Sequence, residues 1–148
     1  MRTDDLSDLP LAGTLIADGF QGWTPALREE FERNAYNGRV GRRLLSETER
    51  VRVWSIHLAP GERVAAHRHV LDYFWTAHTA GRSLQHTCDG TTRIVDYTPG
   101  ETRHYTFGPG CYLLHDLENI GTTSLEFTTV EFRDGANPPL GLPPEAEH

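Results

Sequence analysis

His67 and His69 flank a single arginine in the run Gly61-Glu62-Arg63-Val64-Ala65-Ala66-His67-Arg68-His69. Residues two apart on a β-strand project from one face, roughly 6.6–7 Å apart, so this pair presents two imidazoles side by side. Metal–nitrogen bonds of about 2.0–2.1 Å allow two such rings to converge on one ion. An HxH pair also arises by chance on a solvated strand, and the chain holds 8 histidines. The context adds weight: a Pro60-Gly61 turn launches the strand, and five residues separate Gly61 from His67.

The other histidines are less constrained. His57 precedes the Pro-Gly turn, His86 lies on the strand after the paired histidines, and His104 precedes Gly108. Each reads first as a surface or packed residue. One that turned inward would serve as a fourth ligand, a partner to a ligand or a proton shuttle near neutral pH. His104 is the first choice, because Thr102, His104 and Thr106 form the more polar face of their strand. Arg82 and Arg93 are the carboxylate-binding candidates, with a solvated face as the plainer reading. Carboxylate pairs such as Asp4-Asp5 and Glu29-Glu30 read as solvated charge. Trp54, Phe74, Trp75 and Tyr112 read as core aromatics, and Cys111 as an inert buried thiol.

Composition narrows the chemistry. The net charge is −7, and all 14 basic residues are arginine. An acidic surface repels phosphate backbones, which argues against nucleic acid as a partner, and without lysine no Schiff-base chemistry is available. The sequence has no GxSxG elbow, no glycine-rich phosphate loop and no CxxC pair. The acidic start MRTDDLSDLPLAG lacks the pattern of a signal peptide, and no run approaches a membrane span. Two cysteines, Cys88 and Cys111, make no disulfide framework. A cytoplasmic protein with reduced thiols is expected, with one Cys88–Cys111 bridge as the alternative.

The elements that would position these residues are mostly strands. Thr24 to Asn37 predicts a short helix, with a threonine cap, proline at its first position and a glycine beyond its end. Its apolar stripe would be Ala26, Leu27, Phe31 and Ala35. From Arg39 onward, short β-branched and aromatic runs are cut by turn signals every 8 to 12 residues or so, the pattern of a sandwich or barrel. The candidate strands are Arg50 to Leu58, Arg63 to His69, Asp72 to Thr79, Arg82 to Thr87, Thr92 to Tyr97, Thr102 to Phe107, Cys111 to His115 and Leu125 to Phe132. The division is an N-terminal arm with a short helix over 1–48, part of the same domain, a barrel over 49–133, and a proline-rich tail over 134–148, extended or mobile.

The run from Gly61 to His69 resembles the first motif of the cupin superfamily, G(x)5HxH(x)3-4E(x)6G. Downstream, His115-Asp116-Leu117-Glu118-Asn119 matches the H(x)3N that closes the second cupin motif, with Pro109-Gly110 just before it. The resemblance spans about Glu49 to Arg133. It is strongest to small bacterial cupins with an RVRVWxxxLxPGE-like approach strand and an HRHxxDY metal strand, here Arg50-Val51-Arg52-Val53-Trp54 and His67-Arg68-His69-Val70-Leu71-Asp72-Tyr73. It implies an all-β fold, the cupin double-stranded β-helix or jelly-roll barrel. It also implies a divalent transition metal held by His67, His69 and His115, and a homodimer in which the arm or an outer strand crosses between subunits.

Two departures stand out. Tyr73 occupies the position of the expected glutamate, and His115 follows Gly110 by five residues, a stretched PxGxxH. Alternation puts His67, His69, Leu71, Tyr73 and Trp75 on one face and Asp72 on the other, so Asp72 would ligate only through a bulge. Tyr73 is either a core aromatic or a hydrogen-bond donor to a metal-bound ligand. Three neutral histidines leave an open coordination position and suit a small substrate chelating through two oxygens, such as an enolate, β-dicarbonyl or hydroxy acid. Fe(II) is favoured, with a dioxygenase-like oxidation, and Zn, Mn or Ni would give isomerase, lyase or hydrolytic chemistry. The competing classes are a non-catalytic ligand-binding or sensor barrel and a metal-free structural one.

Overall fold

Val51–Leu58 shows why these segments form strands: Arg52, Trp54, Ile56 and Leu58 are buried while the residues between them are less so. Leu125–Phe132 repeats the pattern with Leu125, Phe127, Thr129 and Glu131 inward. This period of two is the signature of a sheet with one face on a core. The computed structural model describes residues 9–142.

Among the described residues, the chain order is β1 (Thr14–Ala17), α1 (Pro25–Arg33), β2 (Arg43–Glu47), β3 (Val51–Leu58), β4 (Arg63–His69), β5 (Tyr73–Ala77), β6 (Gly81–His86), β7 (Thr92–Tyr97), β8 (Thr102–Tyr105), β9 (Leu113–Asn119) and β10 (Leu125–Phe132). They build two five-stranded antiparallel sheets, ordered β1-β7-β6-β9-β4 and β2-β3-β10-β5-β8. Their inner faces meet as the double-stranded β-helix expected from the sequence.

The N-terminal segment is more deeply built in than an arm with a helix. β1 and β2 form the outer strands of the two sheets. The helix ends at Arg33, earlier than read, because Asn34 to Asn37 turn back toward the barrel. Thr24 caps it, its Oγ1 accepting the Leu27 N–H at 3.1 Å. Phe31 packs against Ala66 and Leu114 on the outer surface of the first sheet, flanked by Leu27 and Ala35, whereas Ala26 faces solvent.

Two apolar clusters fill the barrel. One gathers Ile56, Leu58, Val95, Leu117, Leu125 and Phe127, and the other Leu9, Tyr73, Tyr105, Phe107, Cys111 and Leu113, with Trp75 touching both. Cys88 and Cys111 are free thiols. The turn Ala59-Pro60-Gly61 needs its glycine, since Gly61 has φ 89°. Asn119 staples it, donating to the carbonyls of Leu58 and Thr123 (2.9 and 2.8 Å) while its own backbone carbonyl accepts the Gly61 N–H.

The described part of the tail lies outside the helix and strands and is tied to the barrel. Asn137 donates to the carbonyls of Val70 and Gly108 and accepts the Gly110 N–H, and Arg52 Nη1 donates to Leu140 O. Asp4, Asp5 and the last six positions of the tail lie outside the described residues. No described helix is long and apolar enough to cross a membrane.

Glu131, 2% exposed, accepts a hydrogen bond from Trp54 Nε1 at 2.8 Å. Burial outweighs that bond and the charge of Arg52, pushing the carboxyl up to about 7. Such a group contributes stability that is complete below 4.5 and is lost as pH rises through its folded value. Glu131→Gln keeps an acceptor for Trp54, so it should gain stability over the parent as pH goes from about 5 to about 8. Denaturant midpoints across that range check this, and parallel profiles would contradict it.

Candidate metal centre

The fate of the paired histidines is decided within β4. Starting from the buried Val64, strict alternation would turn Ala66 and Arg68 inward and aim His67 and His69 at solvent. A bulge prevents this. Val64 pairs with Leu117 of β9 and His67 with His115, so the register gains one residue on β4 between them. The extra residue returns both histidines to the interior, where they are 3% exposed. Ala66 packs outward against Phe31.

The bulge is held from outside the barrel. Glu30 Oε2, on α1, accepts the Ala66 N–H at 3.0 Å. The same carboxylate takes both Arg63 nitrogens (2.7 and 2.9 Å), and Arg63 reaches Asp116 Oδ2 at 2.7 Å. Asp116 Oδ1 in turn accepts the His86 backbone N–H at 2.7 Å. Asn37 completes the support, donating to Ala66 O at 3.1 Å and accepting the Arg68 N–H at 2.7 Å. The solvated reading of Glu30 is therefore corrected. Its burial opposes ionisation, but Arg63 and the Ala66 N–H outweigh that and hold the carboxyl below its usual range.

Inside, ring nitrogens of His67, His69 and His115 lie within 4.8 Å of one another. His67 Nδ1 donates to Ala65 O at 2.7 Å and His115 Nδ1 to Gln85 Oε1 at 3.1 Å. Carbonyl oxygens only accept, so both Nδ1 atoms carry the proton and both Nε2 atoms keep a lone pair, the one on His115 accepting from His69 Nε2. His69 Nε2 faces His115 Nε2 at 3.2 Å, and His69 Nδ1 is buried without a partner. Burial drives the His67 ring down to about 4, and burial with the neighbouring imidazoles holds His69 and His115 well below the usual histidine range. All three are neutral at pH 7, as metal ligands must be. The cluster fits a divalent transition metal, each histidine giving one nitrogen.

The three rings face a cavity of about 60 Å³, room for about four to six waters at roughly 10–15 Å³ each. The first sheet supplies a polar row: Arg93 pairs with Gln85, Thr87 bridges to His115, and His115 pairs with His67. The second sheet supplies Ile56, Tyr73, Trp75, Tyr105, Phe127 and Thr129, while Leu11, Ala12 and Val40 of the N-terminal segment close the wall. Among the described residues, the lining contains no aspartate or glutamate.

Tyr73 lines this cavity, its ring stacked on His69 at 4.0 Å and 11°. Burial raises its phenol well above the usual range, so it keeps its proton. His104 is a correction. It is exposed and meets Phe74 on the outer surface, because β8 turns Tyr105 inward, with Phe107 following. The polar side of that strand is its solvent side. Asp72 stands away from the rings, accepting the Phe107 N–H at 2.8 Å where the chain crosses between sheets. His57 is exposed, and His86 contacts Asp116 and Trp23 outside the barrel.

Gln85 is a residue that the sequence reading misses, and Arg93, a carboxylate-binding candidate there, has a solvated face as its plainer reading. Alternation along β7, with Arg93, Val95 and Tyr97 on one side, is the signal that places Arg93 with the core. Arg82, opposite in phase, is exposed and pairs with Asp96.

No family model matches the sequence, and none of the curated proteins matches it. Solved structures do match. A cupin domain from Bordetella pertussis Tohama I is 27% identical, covering 61% of this chain and 88% of its own, with a TM-score of 0.54. A double-stranded β-helix protein from Klebsiella pneumoniae gives 24%, 65% and 78% with 0.51. An RmlC-like cupin from Methanocaldococcus jannaschii gives 22%, 61% and 76% with 0.50. The fold and these likenesses define a double-stranded β-helix barrel, and the chain belongs to the cupin superfamily.

His67→Ala and His69→Ala should each lose bound metal while staying folded, whereas His86→Ala should keep it. Metal analysis beside circular dichroism checks this, and stoichiometric metal in the first two would overturn the assignment. Glu30→Ala strips the Ala66 N–H and Arg63 of a partner. It should cost about 1–3 kcal/mol and weaken metal affinity without touching a ligand, read by thermal melts and by competition with a chelator.

Proposed function

We propose that this chain is a metal-dependent cupin acting on a small oxygen-chelating organic substrate, with a dioxygenase-like oxidation ahead of lyase or isomerase chemistry. The observation that carries the reading is a neutral three-histidine cluster facing a cavity whose described lining contains no carboxylate. A divalent transition metal held by His67, His69 and His115, Fe(II) for the favoured reaction, supplies Lewis-acid polarisation of a chelated oxygen substrate and a place for O2.

The chain's own groups do the rest. Ala65 O and Gln85 Oε1 fix the tautomers of His67 and His115, so their Nε2 atoms point a lone pair at one spot. Tyr73 lines the cavity and retains its proton, so in this reading it donates a hydrogen bond to a bound oxygen. Trp75, Tyr105 and Phe127 supply an apolar wall that lowers the local polarity around the ligands. Lyase and isomerase reactions call for a protein base that shuttles a proton. The lining histidines are committed to the ion, and the lining phenols of Tyr73, Tyr97 and Tyr105 are all pushed up by burial. None of the described lining residues is thus free to act as a base, which favours the oxidative reading.

A homodimer is part of the same proposal. The outer strands β1 and β2 expose Leu15, Ile16 and Leu45 at 50–52%, apolar surface suited to a second subunit.

Protein expressed with added Fe(II) should hold one equivalent of metal and consume O2 when offered β-dicarbonyls or hydroxy acids. Tyr73→Phe should keep the metal and turn over more slowly. Metal binding with no oxygen uptake across the panel would indicate a barrel that only captures its ligand, and absence of metal would remove the centre.

A further inference from the structure

Arg93 differs from the arginines around it. Arg52, Arg63, Arg82, Arg103 and Arg133 each pair with a carboxylate. Arg93 lines the cavity, and its hydrogen bond runs from Nη1 to Thr91 Oγ1 at 3.0 Å. Among the described residues no ion pair links it to a carboxylate, and no described lining residue is acidic. A guanidinium on a partly desolvated wall is costly without a counter-charge, and its planar fork matches a carboxylate in two parallel hydrogen bonds. Its cross-strand partner is Gln85, the residue that orients His115, so Arg93 belongs to the same polar row as the proposed ligands.

We propose that Arg93 is the carboxylate anchor of this cavity, and that the substrate is a small organic acid bearing one carboxylate on Arg93 and separate chelating oxygens on the ion. This rests on the metal reading above and names its substrate class. Neutral ligands leave the ion's full charge in the cavity, and Arg93 adds a second positive centre, so a dianion offsets two of the three positive charges. The aromatic wall of Trp75, Tyr105 and Phe127 then packs against the carbon chain between the two ends, and the small volume limits that chain to a few carbons.

The probes are malate and 2-hydroxybutyrate, which share one chelating end and differ in the distal carboxylate. Calorimetry on zinc-loaded native protein should show malate binding about tenfold or more tightly than 2-hydroxybutyrate. Arg93→Gln should erase that preference while keeping the metal content and the affinity for 2-hydroxybutyrate, and Arg93→Lys should restore part of it. Equal affinities in the native protein, or a preference that survives Arg93→Gln, would overturn the proposal. Butyrate against butyramide, measured on metal-free native protein and on Arg93→Gln, decides the anchor independently of the ion. Failure to hold zinc would sink the metal reading alone, whereas equal butyrate and butyramide binding would sink the anchor.

Discussion

One inserted residue in β4 reverses which side chains the strand shows to the barrel. Without it, Arg68 would be driven into the apolar interior and two histidines into solvent, an exchange that costs the buried charge as well as the site. A bulge leaves backbone groups without ladder partners, and here Glu30 and Asn37 take up both the N–H and the C=O of Ala66. The helix that carries Glu30 is short and mostly polar, and isolated helices of that length are marginal in water. Its position comes from Phe31 against Ala66 and Leu114 and from the Arg63 pair. Helix, bulge and histidines therefore stand or fall together.

Charge is sorted across the same sheet. Asp116 is adjacent in sequence to His115 and fully buried, yet it points the other way, into Arg63 and His86. The ionised groups that brace the structure thus lie on the helix side, and the cavity side keeps neutral imidazoles, an amide, hydroxyls and phenols, with Arg93 as its charged residue. That separation lets the histidines remain unprotonated at neutral pH, because burial outweighs the pull of Asp116 and Glu30, which reaches His67 from the helix side. It also leaves the fixed charge of the site to whatever occupies it.

The sequence was legible where a strand had one wet and one dry face. Arg63–His69, Thr92–Tyr97 and Leu125–Phe132 match their expected bounds, each fenced by a turn signal. β1 and β2 were missed because TLIA and RLLSE are mostly exposed outer strands with no alternating pattern. The inward pointing of the histidines and Tyr73 agrees with a continuous alternation only by coincidence: the bulge shifts the phase before His67, and the crossing between sheets resets it before Tyr73. His104 failed because polarity was read as a sign of the interior, when the inward partners are Tyr105 and Phe107. Glu30 failed because ion pairing across 33 positions leaves no trace in local composition.

The barrel alone does not define the cavity. Leu11, Ala12 and Val40 close its wall, Glu30 sets the bulge, and Asn37 holds the strand that carries the ligands. All of these precede the first strand of the motif-bearing region. At the opposite end of the chain, Asn137 ties Val70, just after the paired histidines, to the loop at Gly108. The motif residues can thus hold a metal, while the size and charge of the space above it depend on segments that carry no motif. Arg93 sits where these two contributions meet, on the strand that β1 covers, with Leu15 as its cross-strand neighbour. A change in the covering strand would alter the anchor's exposure and hence its affinity for an anion, with all three histidines unchanged.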